Sequence, residues 1–203
     1  MPPRPSFLFA PGAGAPSTSA WMVAWRDRLR ALGHVETFDY PYMREGRKRP
    51  DRLPALIEAH ARALAALRAR TTGPVFLAGK SMGGRIGCHL ALEVPVAGVI
   101  CFGFPLVSTS GKRRDEVLLA LRAPILLVQG SRDPLCPLDL LAEVRPRMAA
   151  ANTLVVVEGG DHSLAVSAAQ RKASGTTQAD TDARVLAAVQ TFVAAVLVAQ
   201  SKT

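Results

Sequence analysis

A serine between two glycines, at residues 79–83 (GKSMG), is the strongest chemical signal in the chain. It follows the apolar segment Val75–Ala78 and precedes a helical pattern, so the serine falls on a turn from a strand to a helix. In that context the pattern G-x-S-x-G forms a nucleophile elbow, a sharp turn that exposes the serine hydroxyl above a sheet. Glycine is needed on either side because larger residues would collide across the turn. We therefore predict that Ser81 is a catalytic nucleophile.

Two later strand ends supply the base and the acid that a serine nucleophile requires. Asp133 follows the apolar strand Ile125–Val128, and His162 follows the strand Leu154–Val157. The carboxyl ends of parallel strands lie at one edge of a sheet, so these side chains can converge on the elbow. The chain order Ser, Asp, His is also the order found in hydrolases built on such a sheet. We predict a catalytic triad of Ser81, Asp133 and His162.

Two backbone N–H groups must face the oxygen that becomes negatively charged during nucleophilic attack. Met82, directly after the nucleophile, is one expected donor. Ala13, in the loop 11–16 (PGAGAP) after the first strand, is the other, with Gly14 as the next candidate. A simple turn of the chain would also explain the glycines of this loop.

Alternative assignments fit the sequence less well. The letters GKS at 79–81 also end a phosphate-binding P-loop, but that motif needs a glycine at position 74, which is proline. The other histidines, two nearby acids and one cysteine are expected to be structural: His34, His60, His89, Asp161, Asp139 and Cys136.

Lys80 lies between the first glycine of the elbow and the nucleophile. Strand alternation directs it away from Ser81, and a buried ammonium group needs a partner. Asp39, near the end of the second strand, is the candidate, so we expect Lys80 to hold the elbow through an ion pair.

Two basic loops follow the second and fourth strands, at residues 44–49 and 112–114. Both leave from the edge of the sheet that carries the elbow, so we expect them to flank the mouth of the site. Seven positive charges there would attract an anionic substrate or an acidic partner. The alternative is that both loops are simply solvated.

Six short apolar segments alternate with helical patterns along the whole chain, which predicts an α/β fold with a doubly wound, mainly parallel sheet and helices on both faces. No linker divides the chain, so residues 1–203 are expected to form one domain. The last helix, from about residue 182 to 199, is expected to lie across the sheet. About twenty residues join the fourth and fifth strands, which leaves room for a minimal lid only. The six segments are Ser6–Ala10, Val35–Tyr40, Val75–Ala78, Val96–Phe102, Ile125–Val128 and Leu154–Val157.

The formal net charge of +9 and an isoelectric point near 10.3 permit nucleic-acid binding. However, only five of the 25 basic residues are lysines and the other 20 are arginines, as coding bias toward Ala and Arg would produce. Aromatic residues make up 5% of the chain, which is few for stacking on bases. We therefore expect no nucleic-acid partner.

No apolar run reaches the roughly 20 residues of a membrane span, and the run at 7–10 is too short for a signal peptide. The three cysteines are widely spaced, which predicts neither a disulfide framework nor a zinc site. We expect a cytoplasmic protein without a membrane partner. Nothing in the sequence indicates an oligomeric state.

With these motifs, the chain resembles the α/β-hydrolase superfamily over essentially its whole length. The segments 11–16 (PGAGAP) and 79–85 (GKSMGGR) are similar to those of a small, nearly lidless branch. Members of that branch include a subunit of the NSL chromatin complex and a testis-expressed protein, and dienelactone-hydrolase-like proteins are nearby. The family often has His where this chain has Pro11, which removes a side-chain donor from the oxyanion loop.

Together these features predict a serine hydrolase that cleaves a small ester or thioester with no cofactor and no metal, and the basic loops would suit an anionic substrate. The alternative is a non-catalytic interaction module on a retained hydrolase fold. The complete triad favours the enzyme, whereas Pro11 and the kinship with a chromatin subunit favour the module.

Overall fold

The structure, a computed structural model, describes residues 4–201. Six strands form one sheet in the order β2-β1-β3-β4-β5-β6, and each neighbouring pair is parallel. The predicted doubly wound parallel sheet is therefore confirmed. The strands are β1 Ser6–Ala10, β2 His34–Thr37, β3 Val75–Lys80, β4 Gly98–Phe102, β5 Ile125–Gly130 and β6 Asn152–Val157.

Helices fill the connections between these strands and follow the last one. The strand predicted over 35–40 is shorter, because Pro41 starts a turn of helix directly after Tyr40. The helices of the described residues are α1 Ala20–Leu29, α2 Pro41–Arg44, α3 Leu53–Arg68, α4 Met82–Glu93, α5 Glu116–Ala120, α6 Leu138–Val144, a short 3-10 helix Arg145–Arg147, α7 Ala168–Ser174 and α8 Gln178–Gln200.

Both faces of the sheet are buried, because alternate residues of each strand point to opposite helical layers. In β1, Phe7 and Phe9 pack against α1 and α8. Leu8 faces the other layer, where it packs with apolar residues of α3 and α4. Burying each of these phenylalanine side chains stabilises the fold by about 1.5–3 kcal/mol. This two-sided core holds the strand ends, and the loops that follow them, in fixed positions.

The helix α8 lies across the sheet, as the sequence predicts. It is long and apolar enough to cross a membrane by length and composition. In the structure it contacts β4, β5 and β6, and one side of it is buried. The buried residues include Val185, Val189 and Phe192.

The connection between β4 and β5 stays close to the body of the protein. An isolated antiparallel bridge between Val107 and Arg113 folds it back on itself, and α5 completes it. This short loop agrees with the minimal lid expected from the sequence.

Candidate active site

Ser81 occupies the sharp turn between β3 and α4. Its φ of 48° and ψ of −115° lie in a region that residues other than glycine rarely adopt. The flanking glycines permit this turn, because a Cβ at Gly79 would lie 2.3 Å from the backbone nitrogen of Gly84. A Cβ at Gly83 would lie 2.5 Å from the carbonyl oxygen of Ala10. Close backbone packing on both sides therefore holds the serine in its strained conformation.

Ser81, His162 and Asp133 form one chain of hydrogen bonds. The Ser81 Oγ lies 2.8 Å from His162 Nε2, and His162 Nδ1 lies 2.8 Å from Asp133 Oδ2. An ionised carboxylate only accepts hydrogen bonds, so Nδ1 carries the proton and Nε2 accepts from the serine hydroxyl. The Asp133 side chain is fully buried, whereas the His162 side chain is 26% exposed. The structure thus brings together the three residues selected from the sequence.

Gln129 holds the carboxylate of Asp133 in place. Its side-chain amide donates to Asp133 Oδ2 at 3.4 Å, while its own carbonyl accepts the backbone N–H of Phe104. The backbone N–H of Leu135 donates to Asp133 Oδ1 at 2.9 Å. Sequence reasoning did not select Gln129, although a polar residue inside the apolar strand β5 was a visible signal.

The ammonium group of Lys80 is hydrogen-bonded to the segment that carries His162. Its Nζ donates to the carbonyl oxygen of His162 and to the hydroxyl of Ser163, both at 3.1 Å. It also lies 4.6 Å from the centre of the Trp21 ring, whose Nε1 donates to the Ser163 carbonyl at 2.9 Å. Burial lowers the pKa of Lys80.

The expected ion pair between Lys80 and Asp39 is wrong. Asp39 instead accepts the backbone N–H of Ser17 at 2.7 Å. The strand β1 lies between β2, which precedes Asp39, and β3, which ends with Lys80, and the loop after β1 continues that separation. A Cβ on Gly12 of that loop would lie 3.6 Å from Lys80 Cγ.

The two predicted oxyanion donors lie at the same cavity as the nucleophile. Ala13, Met82 and Ser81 all line it. The Tyr42 hydroxyl donates to the carbonyl oxygen of Ala13 at 2.9 Å. Burial, followed by two nearby carboxylates, raises the pKa of Tyr42 to about 12, so this hydroxyl keeps its proton at neutral pH. Tyr42, which sequence reasoning missed, therefore holds the loop that carries Ala13.

Pro11 is buried in this loop, and its backbone packs against the elbow. A Cβ on Gly83 would lie 2.6 Å from the Pro11 carbonyl oxygen. The loop is therefore held by close backbone contact and by Tyr42, without a side-chain donor at position 11.

A cavity of about 300 Å³ opens beside Ser81. Both segments that contain the predicted basic loops contribute to its wall, but Arg114 is the member of those loops that lines it. Arg85, which lies one helical turn after Ser81, is a second cation that sequence reasoning missed. The other lining residues are Pro50, Asp51, Leu53, Leu56, Pro105, Val107, Thr109 and Leu135, beside Ala13, Ser81 and Met82.

Two of the expected seven rim charges are compensated by nearby acids. Arg47 pairs with Glu45 and Asp51, at 2.7 and 2.8 Å. Arg113 pairs with Asp115 at 2.9 Å and lies 3.6 Å from Glu143. The expected rim of seven unpaired positive charges around the cavity is therefore not observed.

The remaining candidates lie outside the hydrogen-bond chain of Ser81, His162 and Asp133. His60 is buried against the Tyr40 hydroxyl, and Asp161 accepts the N–H groups of two residues in its own turn. The three cysteines are buried free thiols. Burial raises the pKa of Cys136 to about 12, which leaves little thiolate for nucleophilic attack.

A sequence model of a family described as an alpha/beta hydrolase domain matches residues 3–194. The chain belongs to the alpha/beta hydrolase family. Solved structures of alpha/beta hydrolases share its fold. An alpha-beta serine hydrolase homologue from Coxiella burnetii is 19% identical, with a TM-score of 0.68 over 80% of this chain and 78% of the other.

Two further solved structures are similar at the level of fold. A serine hydrolase without a lid from Xanthomonas campestris is 18% identical, with a TM-score of 0.64 over 81% of this chain and 75% of its own. A cold-adapted esterase from an Arctic intertidal metagenomic library is 17% identical, with a TM-score of 0.62 over 81% and 76%.

Proposed function

We propose that this alpha/beta hydrolase is a serine hydrolase that cleaves a small carboxylic ester or thioester through an acyl-enzyme. The observation that carries the proposal is the unbroken hydrogen-bond chain from Ser81 through His162 to Asp133, with 2.8 Å at each step. An aligned base makes a serine hydroxyl nucleophilic, and an aligned carboxylate keeps that base in the required tautomer.

The proposed reaction has two halves. Ser81 Oγ attacks the carbonyl carbon while His162 Nε2 takes its proton, and Asp133 stabilises the resulting imidazolium. The N–H groups of Met82 and Ala13 bind the oxyanion. His162 then gives the proton to the leaving oxygen or sulfur as its bond to carbon breaks. In the second half, His162 takes a proton from water, which attacks the acyl carbon. The bond from that carbon to Ser81 Oγ then breaks, and His162 returns the proton to Oγ as the acid leaves.

The structural neighbours and the cavity support a small ester as substrate. One neighbour is described as an esterase and another as a serine hydrolase without a lid. A cavity of about 300 Å³ is at the lower end of the range for ligand sites, which favours a short acyl group.

A non-catalytic interaction module is the competing proposal, supported by the resemblance to the branch that contains an NSL complex subunit. Such a module has no need of a strained serine, an aligned histidine and a buried carboxylate. The assembled side chains therefore favour the enzyme.

The buried free thiols agree with the proposal of a cytoplasmic location.

Covalent labelling with a fluorophosphonate probe tests the proposal. The wild-type protein is expected to be labelled and the Ser81→Ala variant is not. Ser174→Ala is the matched control, because Ser174 is an exposed serine on α7 away from the cavity. A panel of p-nitrophenyl esters of increasing chain length then measures the acyl preference, with the highest kcat/KM expected for short chains.

Absence of labelling in a folded wild-type protein would overturn the hydrolase and favour the interaction module. Equal labelling of wild type and Ser81→Ala would show that another group reacts.

A further inference from the structure

Two arginines face the catalytic cavity without an acidic partner. Arg85 is on α4, where its backbone N–H bonds the carbonyl of Ser81, so it lies one turn from the nucleophile. Arg114 reaches the same cavity from the loop between β4 and β5. Both side chains are partly buried. Across residues 4–201, no carboxylate forms an ion pair with either of them.

The guanidinium of Arg85 is only partly satisfied by the protein. Its Nη1 lies 3.3 Å from His89 Nε2, which therefore accepts the bond, since arginine only donates. Its Nε is buried and, within the part of the chain that the structure describes, has no hydrogen-bond partner. A buried charged donor in this state is costly unless a ligand completes it.

The positive charge of Arg114 adds to the free-energy cost of burying Arg85. Burial and then the nearby Arg114 lower the pKa of Arg85, and the smaller influence of Glu116 opposes them. Arg85 nevertheless remains protonated at physiological pH. Two cations held together at one cavity wall are stabilised when an anion lies between them.

Two acids that line or adjoin the cavity pair with other arginines. Asp51, the acidic residue among the cavity-lining residues, pairs with Arg47 and accepts the backbone N–H of Tyr42. Asp115 pairs with Arg113 and not with its neighbour Arg114. Within residues 4–201, the cavity wall therefore carries two cations that form no ion pair, and Glu116 opposes the charge of Arg85 only from a greater distance.

In the proposed reaction, the acyl part of the substrate occupies the cavity. In the proposed reaction the leaving group must lie beside His162 Nε2, which donates a proton to it. His162 does not line the cavity, whereas Ser81, Met82 and Ala13 do. The acyl chain thus extends from Ser81 along the wall that carries the arginines.

We propose that Arg85 and Arg114 form a carboxylate-binding subsite, so that the preferred substrates are half esters or half thioesters of short dicarboxylic acids. This inference rests on the proposed hydrolase function and deepens it. The planar guanidinium offers paired N–H donors that match a carboxylate, which gives orientation as well as attraction. A carboxylate bound at this subsite accepts a hydrogen bond from the unsatisfied Nε of Arg85 and lies between the positive charges of Arg85 and Arg114.

The test uses two esters that differ by one charge. These are p-nitrophenyl hydrogen glutarate, which is an anion at neutral pH, and its uncharged methyl ester, with rates corrected for uncatalysed hydrolysis. The measured quantity is the ratio of kcat/KM for the anion to kcat/KM for the neutral ester. The wild type is expected to favour the anion by about tenfold or more, and Arg85→Gln or Arg114→Gln each lowers the ratio about 10- to 100-fold.

Arg113→Gln is the matched control. It removes the same charge from the adjacent residue, but Arg113 pairs with acids outside the cavity, so the ratio is expected to stay within about twofold of wild type. Arg85→Lys keeps the charge and loses the paired donors, so it should recover only part of the ratio.

Thermal unfolding gives a second readout that does not depend on turnover. Glutarate is expected to raise the Tm of the wild type more than glutaramide does, and this difference should vanish in the double variant Arg85→Gln/Arg114→Gln. Without ligand, Arg85→Gln should not lower the Tm, because it removes a partly buried charge that forms no ion pair among residues 4–201.

The outcomes separate the two proposals. Ser81-dependent hydrolysis with no preference for the anion, or equal effects of Arg113→Gln and Arg114→Gln on the ratio, would overturn the subsite and leave the hydrolase intact. Failure to hydrolyse either ester, with glutarate still stabilising only proteins that retain the arginines, would overturn the hydrolase and support the subsite. A lower Tm of Arg85→Gln without ligand would assign Arg85 a structural role.

Discussion

His162 and His60 each contact a hydroxyl group through one ring nitrogen, but their surroundings differ. His162 Nε2 is 2.8 Å from the Ser81 hydroxyl, its Nδ1 is bonded to a carboxylate, and its ring is partly exposed. His60 Nδ1 is 3.2 Å from the Tyr40 hydroxyl, and its ring is fully buried on α3. In residues 4–201, the Nε2 of His60 has no hydrogen-bond partner. A hydroxyl neighbour is therefore common to both sites, while the carboxylate and the access to solvent belong to one.

The difference shows what a general base requires. Burial lowers the pKa of His60 to about 3, so this ring stays neutral and has no charge partner that would stabilise an imidazolium. Asp133 provides that stabilisation for His162. The comparison predicts that substitutions of His162 change catalysis and that substitutions of His60 change stability.

The largest effect is expected from removing the nucleophile or its base. Ser81→Ala and His162→Ala should each lower kcat for p-nitrophenyl acetate by about 10⁴- to 10⁶-fold, because the triad acts as a unit. His60→Gln is the control, with kcat expected within about threefold of wild type because it does not touch the cavity. Comparable losses in all three variants would remove the distinction between the two histidines.

Removing the charge of the orienting acid should have the next largest effect. Asp133→Asn is expected to lower kcat by about 10³- to 10⁴-fold, because the amide favours the wrong tautomer of His162. Asp161→Asn is the matched control, since Asp161 adjoins His162 and its Oδ1 only accepts backbone N–H groups. If Asp161→Asn were inactive and Asp133→Asn active, the acid would be misassigned.

The buried histidine predicts a loss of stability in acid. An unfolded histidine has a pKa near 6.5 and His60 in the fold has a pKa of about 3, so between these values the unfolded chain binds more protons. The stability associated with neutral His60 is fully present above pH 6.5 and is lost as the pH falls toward 3. The slope is about 1.4 kcal/mol per pH unit, or about 2 kcal/mol between pH 6.5 and 5.

Urea unfolding of wild type and His60→Gln at pH 7 and pH 5 measures this dependence. The difference in unfolding free energy between the two pH values should be smaller in the variant by that amount. An equal difference in both proteins would show that other groups cause the acid sensitivity.

Lys80 allows stability and catalysis to be separated within the His162 segment itself, because its side chain is hydrogen-bonded to that segment. Lys80→Met removes two hydrogen bonds and is expected to lower the free energy of unfolding by about 1–2 kcal/mol. The kcat should fall by less than about tenfold, and the preference among ester chain lengths should not change. Lys172→Met, on the exposed surface of α7, controls for the loss of a lysine. A stability equal to that of wild type would mean that the contacts of Lys80 do not hold the loop.

The sequence predicted the features that follow from local rules. Ser81, Asp133 and His162 each follow an apolar strand of a parallel sheet, so topology alone directs them to one edge. The wrong partner for Lys80 arose because sequence reasoning could not give the strand order, and β1 separates Lys80 from Asp39.

The missed residues act across the fold. Gln129, which donates to Asp133, is itself held by a backbone N–H of the segment after β4, and Tyr42 holds a carbonyl in the loop after β1. These contacts join segments that are far apart in the chain. The location of Arg85 beside Ser81 could have been predicted, because residues four positions apart on a helix lie on the same side of it. Its lack of an acidic partner, however, becomes visible only with the neighbouring loops in place.

The positive φ of Ser81 implies that the protein exchanges thermodynamic stability for reactivity at this single position. Such a conformation costs about 1–3 kcal/mol in a residue with a side chain, and glycine would adopt it without that cost. Ser81→Gly should therefore be inactive and yet unfold at a higher temperature than Ser81→Ala, which also lacks the hydroxyl but keeps the Cβ. A glycine at this position would therefore make the fold more stable than the serine does, and the strain measures what the proposed chemistry of Ser81 costs the fold.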